Sequence, residues 1–543
     1  MKTVQFFILL GIVSAGLNAA PTQAESTAAG EASAQCNALQ NTDFSKIPDA
    51  PTQITDVTVV KASDVIPEYC KVTGYVAPQV GIKLGLPVAW NGKFIEMGCG
   101  GHCGILNDAR LSEFFEGCGP ALRKGYACII TDMGHNGAVF DTVWAYDNLE
   151  GMIDWGYRAT HVTALAGKAI TRAYYQKPLL HSYFSGTSTG GRQALQATQR
   201  FPYDFDGIIA GAPPVRLADI YVTFAWGQRV SRDATGKPIL SIADLRLLTN
   251  GALARCDLDD GVRDGIISSP FKCPFRASDL ACKSGQTATC LTPEKVKAAE
   301  QIYEGPVDSH GKSLFGAGPL PGSELGGDAP WNEESGGNWG VSYVGTDKAP
   351  AAYSSLAQEG LRFLFFSPPL PRSWTIRDFD FDKDYKRLDV TQSLYDSSNP
   401  DLTRFKSAGG KMLIYQGLND AVVLPGWTIR YYENVERVMG GSEKTQSFAR
   451  LFLLPGSGHG PGGPGADIVD YLTYLEDWVE QGKAPDKLIA AHLKSIDGSH
   501  ELTFPLEPAS IAFTRPVYPY PVTAKYRGRG DPNDAANFEP LAR

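Results

Sequence analysis

Apolar and polar positions follow one rhythm along two parts of this chain and lose it in between. From about Val57 to Ala212, short β-branched or aromatic runs alternate with longer helical ones. Lys93–Met97, Tyr126–Thr131, Ser182–Ser185 and Gly207–Ala210 read as strands, and Tyr157–Ala173 as a helix. Such alternation predicts a parallel sheet covered by helices. The rhythm returns at Lys411–Tyr415 and Arg450–Leu454, followed by an amphipathic stretch, Asp467–Glu480. One α/β domain is therefore expected from residues 25–214 and 399–543. Between them, residues 215–398 turn rich in Gly, Pro, Ser and Trp, and stretches such as Gly316–Gly327 have no clear period. Trp331, Trp339, Trp374, many Tyr and Phe and four cysteines are too much apolar material for a disordered linker. That segment is read as an inserted lid domain.

The N-terminus has a different character. Met1-Lys2-Thr3, the apolar run Val4–Val13 and small residues up to Ala24 form the three regions of a secretory signal. Residues 1–24 are expected to be removed, leaving a secreted or periplasmic protein. No later segment approaches the roughly 20 apolar residues that a membrane-spanning helix needs, so no membrane partner is expected. The ten cysteines then read as disulfides. Cys256/Cys273, Cys282/Cys290 and Cys36/Cys70 suggest pairs, whereas Cys99, Cys103, Cys118 and Cys128 form a cluster whose pairing stays open.

At 43% apolar and 20% charged residues the chain can bury a large core. A net charge of −9 without any Lys/Arg cluster excludes nucleic acid as a partner, because phosphate binding needs clustered cations.

Residues His181–Gly191 read HSYFSGTSTGG, a short strand running into Gly186-Thr187-Ser188-Thr189-Gly190 and then a helix-compatible run, Arg192–Gln199. This is G-x-S-x-G in a strand–turn–helix context, the turn that presents a nucleophilic serine above the sheet of an α/β-hydrolase fold. A serine hydroxyl needs a histidine to accept its proton, and that imidazole needs an acid to fix its tautomer. In this fold the chain order is Ser, acid, His. Asp420 ends the apolar run from Lys411, where the acid belongs, and His459 sits in a glycine-rich loop just after Arg450–Leu454. Of the other late histidines, His492 lies in a helix-like run and His500 in a polar turn. The expected triad is Ser188, Asp420 and His459. An oxyanion needs backbone N–H donors, which Thr189 and Gly101 of Gly98-Cys99-Gly100-Gly101-His102 are expected to supply; His102 reads as a loop residue.

Segments such as WNGKFIEMGCGGHCG, RQALQATQRFPYDFDGIIAGAPP, KMLIYQGLNDA and RLFLLPGSGHGPGGPG resemble the tannase/feruloyl esterase family, which includes terephthalate half-ester hydrolases. The resemblance runs over nearly the whole mature chain and implies a serine esterase acting on small aromatic or phenolic esters. It also implies a structural calcium site in the lid, with carboxylates of Asp257, Asp260 and Asp264 and carbonyls of Val262 and Ile266 as hard oxygen ligands. Two readings outside the esterases share these residues: a serine peptidase, and a calcium-stabilised binding protein with a relic triad. The sequence departs from the family at one point. The cysteines that usually flank the nucleophile and the histidine, joined as a disulfide, are Thr187 and Gly460 here. The His459 loop is therefore expected to be held only by packing and by its bond to Asp420.

Overall fold

Nine strands share one sheet: β1 (Thr52–Val60), β2 (Tyr69–Val76), β3 (Val80–Pro87), β4 (Lys93–Met97), β5 (Ala127–Thr131), β6 (His181–Thr187), β7 (Gly207–Gly211), β8 (Lys411–Gly417) and β9 (Ala449–Leu454). Their order is β1-β2-β3-β5-β4-β6-β7-β8-β9. The structure, a computed structural model, describes residues 32–113, 117–286, 288–325, 337–346, 349–495 and 504–542. The expected signal segment, Trp331 and His500 lie outside them.

The first three strands and β5 pair antiparallel, and from β5 onward every pairing is parallel. The composition of the strands explains the change. Ala127–Thr131 and Gly207–Gly211 are buried at every position, as parallel strands covered on both faces must be. Strand β1, at the edge, buries Thr52 and Ile54, half-buries Val57, Val59 and Val60, and exposes Gln53, Thr55, Asp56 and Thr58. The α/β-hydrolase fold expected from the sequence is the fold observed.

Helices α1 (Ala159–Tyr175) and α2 (Thr189–Arg200) cover one face, packing Ala166, Ile170, Ala194 and Leu195 onto Phe94, Ile129, Phe184 and Ile208. Between β7 and β8 come α3 (Leu217–Val230) and α4 (Ile242–Cys256), then a helix at Ala352–Gly360. Among the described residues this stretch adds no strand to the sheet. It packs tightly: a Cβ at Gly360 would meet the Tyr221 ring at 2.1 Å. Helices α5 (Pro425–Met439) and α6 (Tyr471–Gln481) complete the domain. From α6, Leu475 and Trp478 join Ile95, Tyr183, Ile209 and Leu413 on the opposite face of the sheet. No helix among the described residues is long and apolar enough to cross a membrane.

All ten cysteines are paired. Cys36–Cys70, Cys256–Cys273 and Cys282–Cys290 match the expected pairs, and the cluster resolves into Cys99–Cys103 and Cys118–Cys128. One local reading is corrected. His492 is not in a helix: Leu488–Leu493 is a strand, β10, paired antiparallel with β11 (Ile511–Val517). Its Ala-Ala pair favours a helix locally, but pairing with a segment some twenty residues on outweighs a propensity worth a few tenths of a kcal/mol per residue.

Candidate active site

Ser188 stands between β6 and α2 with φ 59° and ψ −124°. A non-glycine residue with positive φ is uncommon and costs of order 1–3 kcal/mol. The surrounding glycines make it possible. A Cβ at Gly186 would meet Gly190 Cα at 2.7 Å, and one at Gly191 would meet Gly211 O at 2.2 Å. Without side chains, helix and strand close on each other, and Ser188 N donates to Gly211 O at 2.9 Å. The hydroxyl is lifted above the carboxyl ends of the parallel strands.

His459 meets it there. Nε2 lies 2.9 Å from Ser188 Oγ, and Nδ1 lies 2.9 Å from Asp420 Oδ2. Asp420, fully buried just beyond β8, accepts the Val422 and Val423 N–H groups on Oδ1 at 2.8 and 2.9 Å. The Gln416 side-chain amide donates to Oδ2 at 3.0 Å. Gln416 is itself buried and held by Thr428, whose hydroxyl donates to its Oε1 at 2.8 Å. A buried carboxylate is tolerated only when hydrogen-bonded in this way. Nothing at a single position marks Gln416 as part of the site; only its place on β8, four residues before Asp420, could have suggested it.

Thr189 and Gly101 come together beside Ser188. Thr189 Oγ1 donates to Gly101 O at 2.6 Å, and both residues line the same cavity as the serine. Gly101 has φ 56°, and a Cβ there would meet Val139 O at 2.6 Å. The neighbouring His102 is more than a loop residue. It is fully buried, and Nε2 lies 2.6 Å from the Tyr221 hydroxyl of α3. Burial, with His135 nearby, pushes the His102 imidazole down to about 3, so it stays neutral and ties the Gly100–Gly101 turn to the inserted segment.

The cavity above Ser188 holds about 440 Å³. Leu217, Ile220, Tyr221 and Phe224 of α3 roof it together with Tyr353 and Leu356. None of these residues has a sequence signal that separates it from an ordinary core position.

The replaced bridge positions are near the site but have different partners. Thr187 Oγ1 is hydrogen-bonded to the Tyr415 hydroxyl, and the Tyr415 ring stacks on Tyr471 at 4.2 Å. The His459 loop also has more support than packing and Asp420. Asn419 N donates to Ser457 O at 2.8 Å, and Gly465 N to Gly456 O at 3.2 Å. The expectation that only packing and Asp420 hold the loop is corrected, because these ties come from backbone groups that carry no sequence signature.

The acidic loop of the inserted segment is closely wound. Asp257 Oδ1 accepts from Asp264 N and Gly265 N at 3.1 and 3.0 Å. Asp260 accepts from Val262 N at 3.0 Å and from the Ser268 hydroxyl at 2.7 Å. Asp264 accepts from Ile266 N at 3.2 Å and pairs with Arg515 of β11 at 2.6 Å. Asp257, Asp260, Val262, Asp264 and Ile266 thus share one short segment, whose carboxylate and carbonyl oxygens are of the hard kind that suits calcium chemically. In this arrangement no three His, Cys, Asp or Glu side chains among the described residues converge to hold a metal. Arg515 supplies the positive charge beside Asp264.

The family model described as tannase and feruloyl esterase matches residues 63–541. The chain belongs to that family. As a member of the tannase and feruloyl esterase family it is a carboxylic ester hydrolase. The mono(2-hydroxyethyl) terephthalate hydrolase of Piscinibacter sakaiensis is 34% identical, covering 93% of this chain and 91% of its own. A probable feruloyl esterase of Arthroderma benhamiae is 32% identical, covering 85% and 82%. The crystal structure of feruloyl esterase B from Aspergillus oryzae superposes with a TM-score of 0.78 at 26% identity, covering 94% of this chain and all of that one.

Proposed function

We propose that this chain is an exported serine esterase that hydrolyses carboxylic esters of aromatic or phenolic acids through an acyl-enzyme on Ser188. The observation that carries the reading is the unbroken hydrogen-bond line from Ser188 Oγ through His459 to the buried Asp420, at the floor of an apolar cavity. His459 Nε2 takes the Ser188 proton as Oγ bonds to the ester carbonyl carbon. The N–H groups of Thr189 and Gly101 stabilise the oxyanion. The protonated imidazole then gives its proton to the departing alcohol oxygen, leaving the acyl group on Ser188. A water molecule repeats the sequence, releasing the acid and restoring the hydroxyl.

The aromatic preference is supported by the names of the relatives and by the cavity's lining. Leu217, Ile220, Phe224 and Leu356 suit an uncharged aromatic acyl group, because a buried carboxylate without a cationic partner costs several kcal/mol. Residues 215–398 act as the lid that forms this roof. Export is supported by the N-terminal segment and by the five disulfides. The acidic turn at 257–266 would supply the oxygen ligands of a structural calcium ion, which would draw together the Asp257, Asp260 and Asp264 carboxylates that do not converge here.

The test is turnover of p-nitrophenyl acetate, methyl ferulate, methyl gallate and a peptide panel by the wild type and Ser188→Ala. The esters should turn over and the peptides should not. Ser188→Ala should lose about 10³-fold or more in kcat with its fold intact. Undiminished turnover by that variant would remove Ser188 from the mechanism.

A further inference from the structure

The loop carrying His459 has open space on two sides. His459, Gly460 and Pro461 line the cavity above Ser188, and the same three residues line a second cavity of about 260 Å³. The second cavity lies against Ile95, Ile209 and Leu454, on the sheet face that α6 covers. Glycines at 456, 458, 460, 462, 463 and 465 leave the loop few side chains to wedge it in place. The bonds from Asn419 and Gly465 hold the loop at Ser457 and Gly456, before His459, and beyond it the usual bridge position is Gly460, opposite Thr187.

Asp467 stands at the far end of the loop. Its Oδ2 accepts two N–H bonds at once, from Gly462 at 2.7 Å and Gly463 at 3.2 Å. Such charge-assisted bonds are about twice as strong as neutral ones. The other oxygen, Oδ1, is sealed from solvent. Asp467 is fixed in turn by β10: its N–H donates to Ala491 O at 3.1 Å, and Ile468 exchanges both backbone bonds with Ala491 at 3.0 and 2.9 Å. His492 of β10 adds a bond between Nδ1 and Gly465 O at 2.8 Å. Burial pushes the Asp467 carboxyl up to about 6, which leaves it ionised in mildly alkaline assays.

We propose that Asp467 is the positioning residue of the catalytic histidine, clamping the Gly462 and Gly463 amides to β10 so that His459 stays at hydrogen-bonding distance from Ser188. It touches neither substrate nor reacting atoms. The inference rests on Ser188, His459 and Asp420 acting as proposed above.

Kinetics of the full chain on p-nitrophenyl acetate at alkaline pH test it, with Ser188→Ala as control. Asp467→Ala should lower kcat about 100-fold, the cost of misplacing a reacting group by about 1 Å. Its KM should stay within about threefold, because the acyl cavity is untouched. Labelling of Ser188 by a fluorophosphonate should slow in parallel, since it also needs the imidazole in place. Asp467→Asn keeps an acceptor oxygen but loses the charge, and should fall between the two, about tenfold below wild type. A folded Asp467→Ala with wild-type kcat overturns the proposal. Should that variant fail to fold, Asp467→Asn decides: an unchanged kcat overturns the clamp, and a lowered kcat at constant KM supports it. An active Ser188→Ala would sink the triad itself, whereas an inactive one beside a normal Asp467→Ala sinks the clamp alone.

Discussion

Replacing Asp420 by asparagine probes the site at its most buried point. The carboxylate accepts four hydrogen bonds, two per oxygen: Val422 N and Val423 N on Oδ1, His459 Nδ1 and Gln416 Nε2 on Oδ2. All four partners approach as donors, and asparagine offers one acceptor oxygen and one NH₂ group. With its oxygen toward Val422 and Val423, the NH₂ group faces His459 and Gln416. The imidazole then accepts at Nδ1 and carries its proton on Nε2, 2.9 Å from Ser188 Oγ. A nitrogen that already holds a proton cannot take the serine's. Loss of the correct tautomer lowers kcat about 10⁴-fold, which corresponds to about 5 kcal/mol of transition-state stabilisation. The Gln416 amide, left facing another donor, costs the fold a further 1–3 kcal/mol or so. Burst and steady-state release of p-nitrophenol measure the first effect, and thermal melting measures the second. A folded Asp420→Asn variant with kcat within about tenfold of wild type would refute the assignment, because a wrong tautomer cannot support that rate.

Two further outcomes are expected. Removing calcium by chelation should lower the melting temperature, and resupplying it at about 100 times its Kd should restore about 2.7 kcal/mol; an unchanged melting curve after verified metal removal counts against a calcium site at Asp257, Asp260 and Asp264. Burial pushes the Asp132 carboxyl up to about 7, although Gly81 N and Gly134 N donate to it at 2.9 and 2.8 Å. Its folded pKa lies above the unfolded value of about 3.9, so its contribution is complete below about pH 4 and is lost as pH rises through about 7. Asp132→Asn does not titrate, so its melting temperature relative to wild type should climb from pH 4 to pH 8; a constant difference would show that Asp132 does not titrate as described.

The sheet and the turn that carries Ser188 were legible from sequence because both depend on near neighbours. Runs such as Lys411–Tyr415 declare a buried strand through their own residue types. The glycines around Ser188 declare a turn through their own spacing, although Gly98 and Gly211, distant along the chain, also close against it. Asp420 and His459 followed from strand ends and chain order, which the topology of a parallel sheet imposes. The roof of the cavity was not legible, since Leu217, Ile220 and Tyr221 differ from core residues only in facing a cavity. The cysteine cluster stayed open for a similar reason, because several pairings were compatible with its spacing.

Local rules sufficed wherever the deciding interactions span a turn or a strand. They failed wherever a residue's role is assigned by a partner far away along the chain. Arg515 neutralises Asp264 from 251 residues off, and His102 finds Tyr221 across 119. His492 became a strand residue through pairing with β11. Asp467 grips two loop amides only because β10 holds its backbone in place. Each of these contacts gains its strength from desolvation and alignment that exist only after the chain has folded, so residue type and spacing alone carry no trace of them.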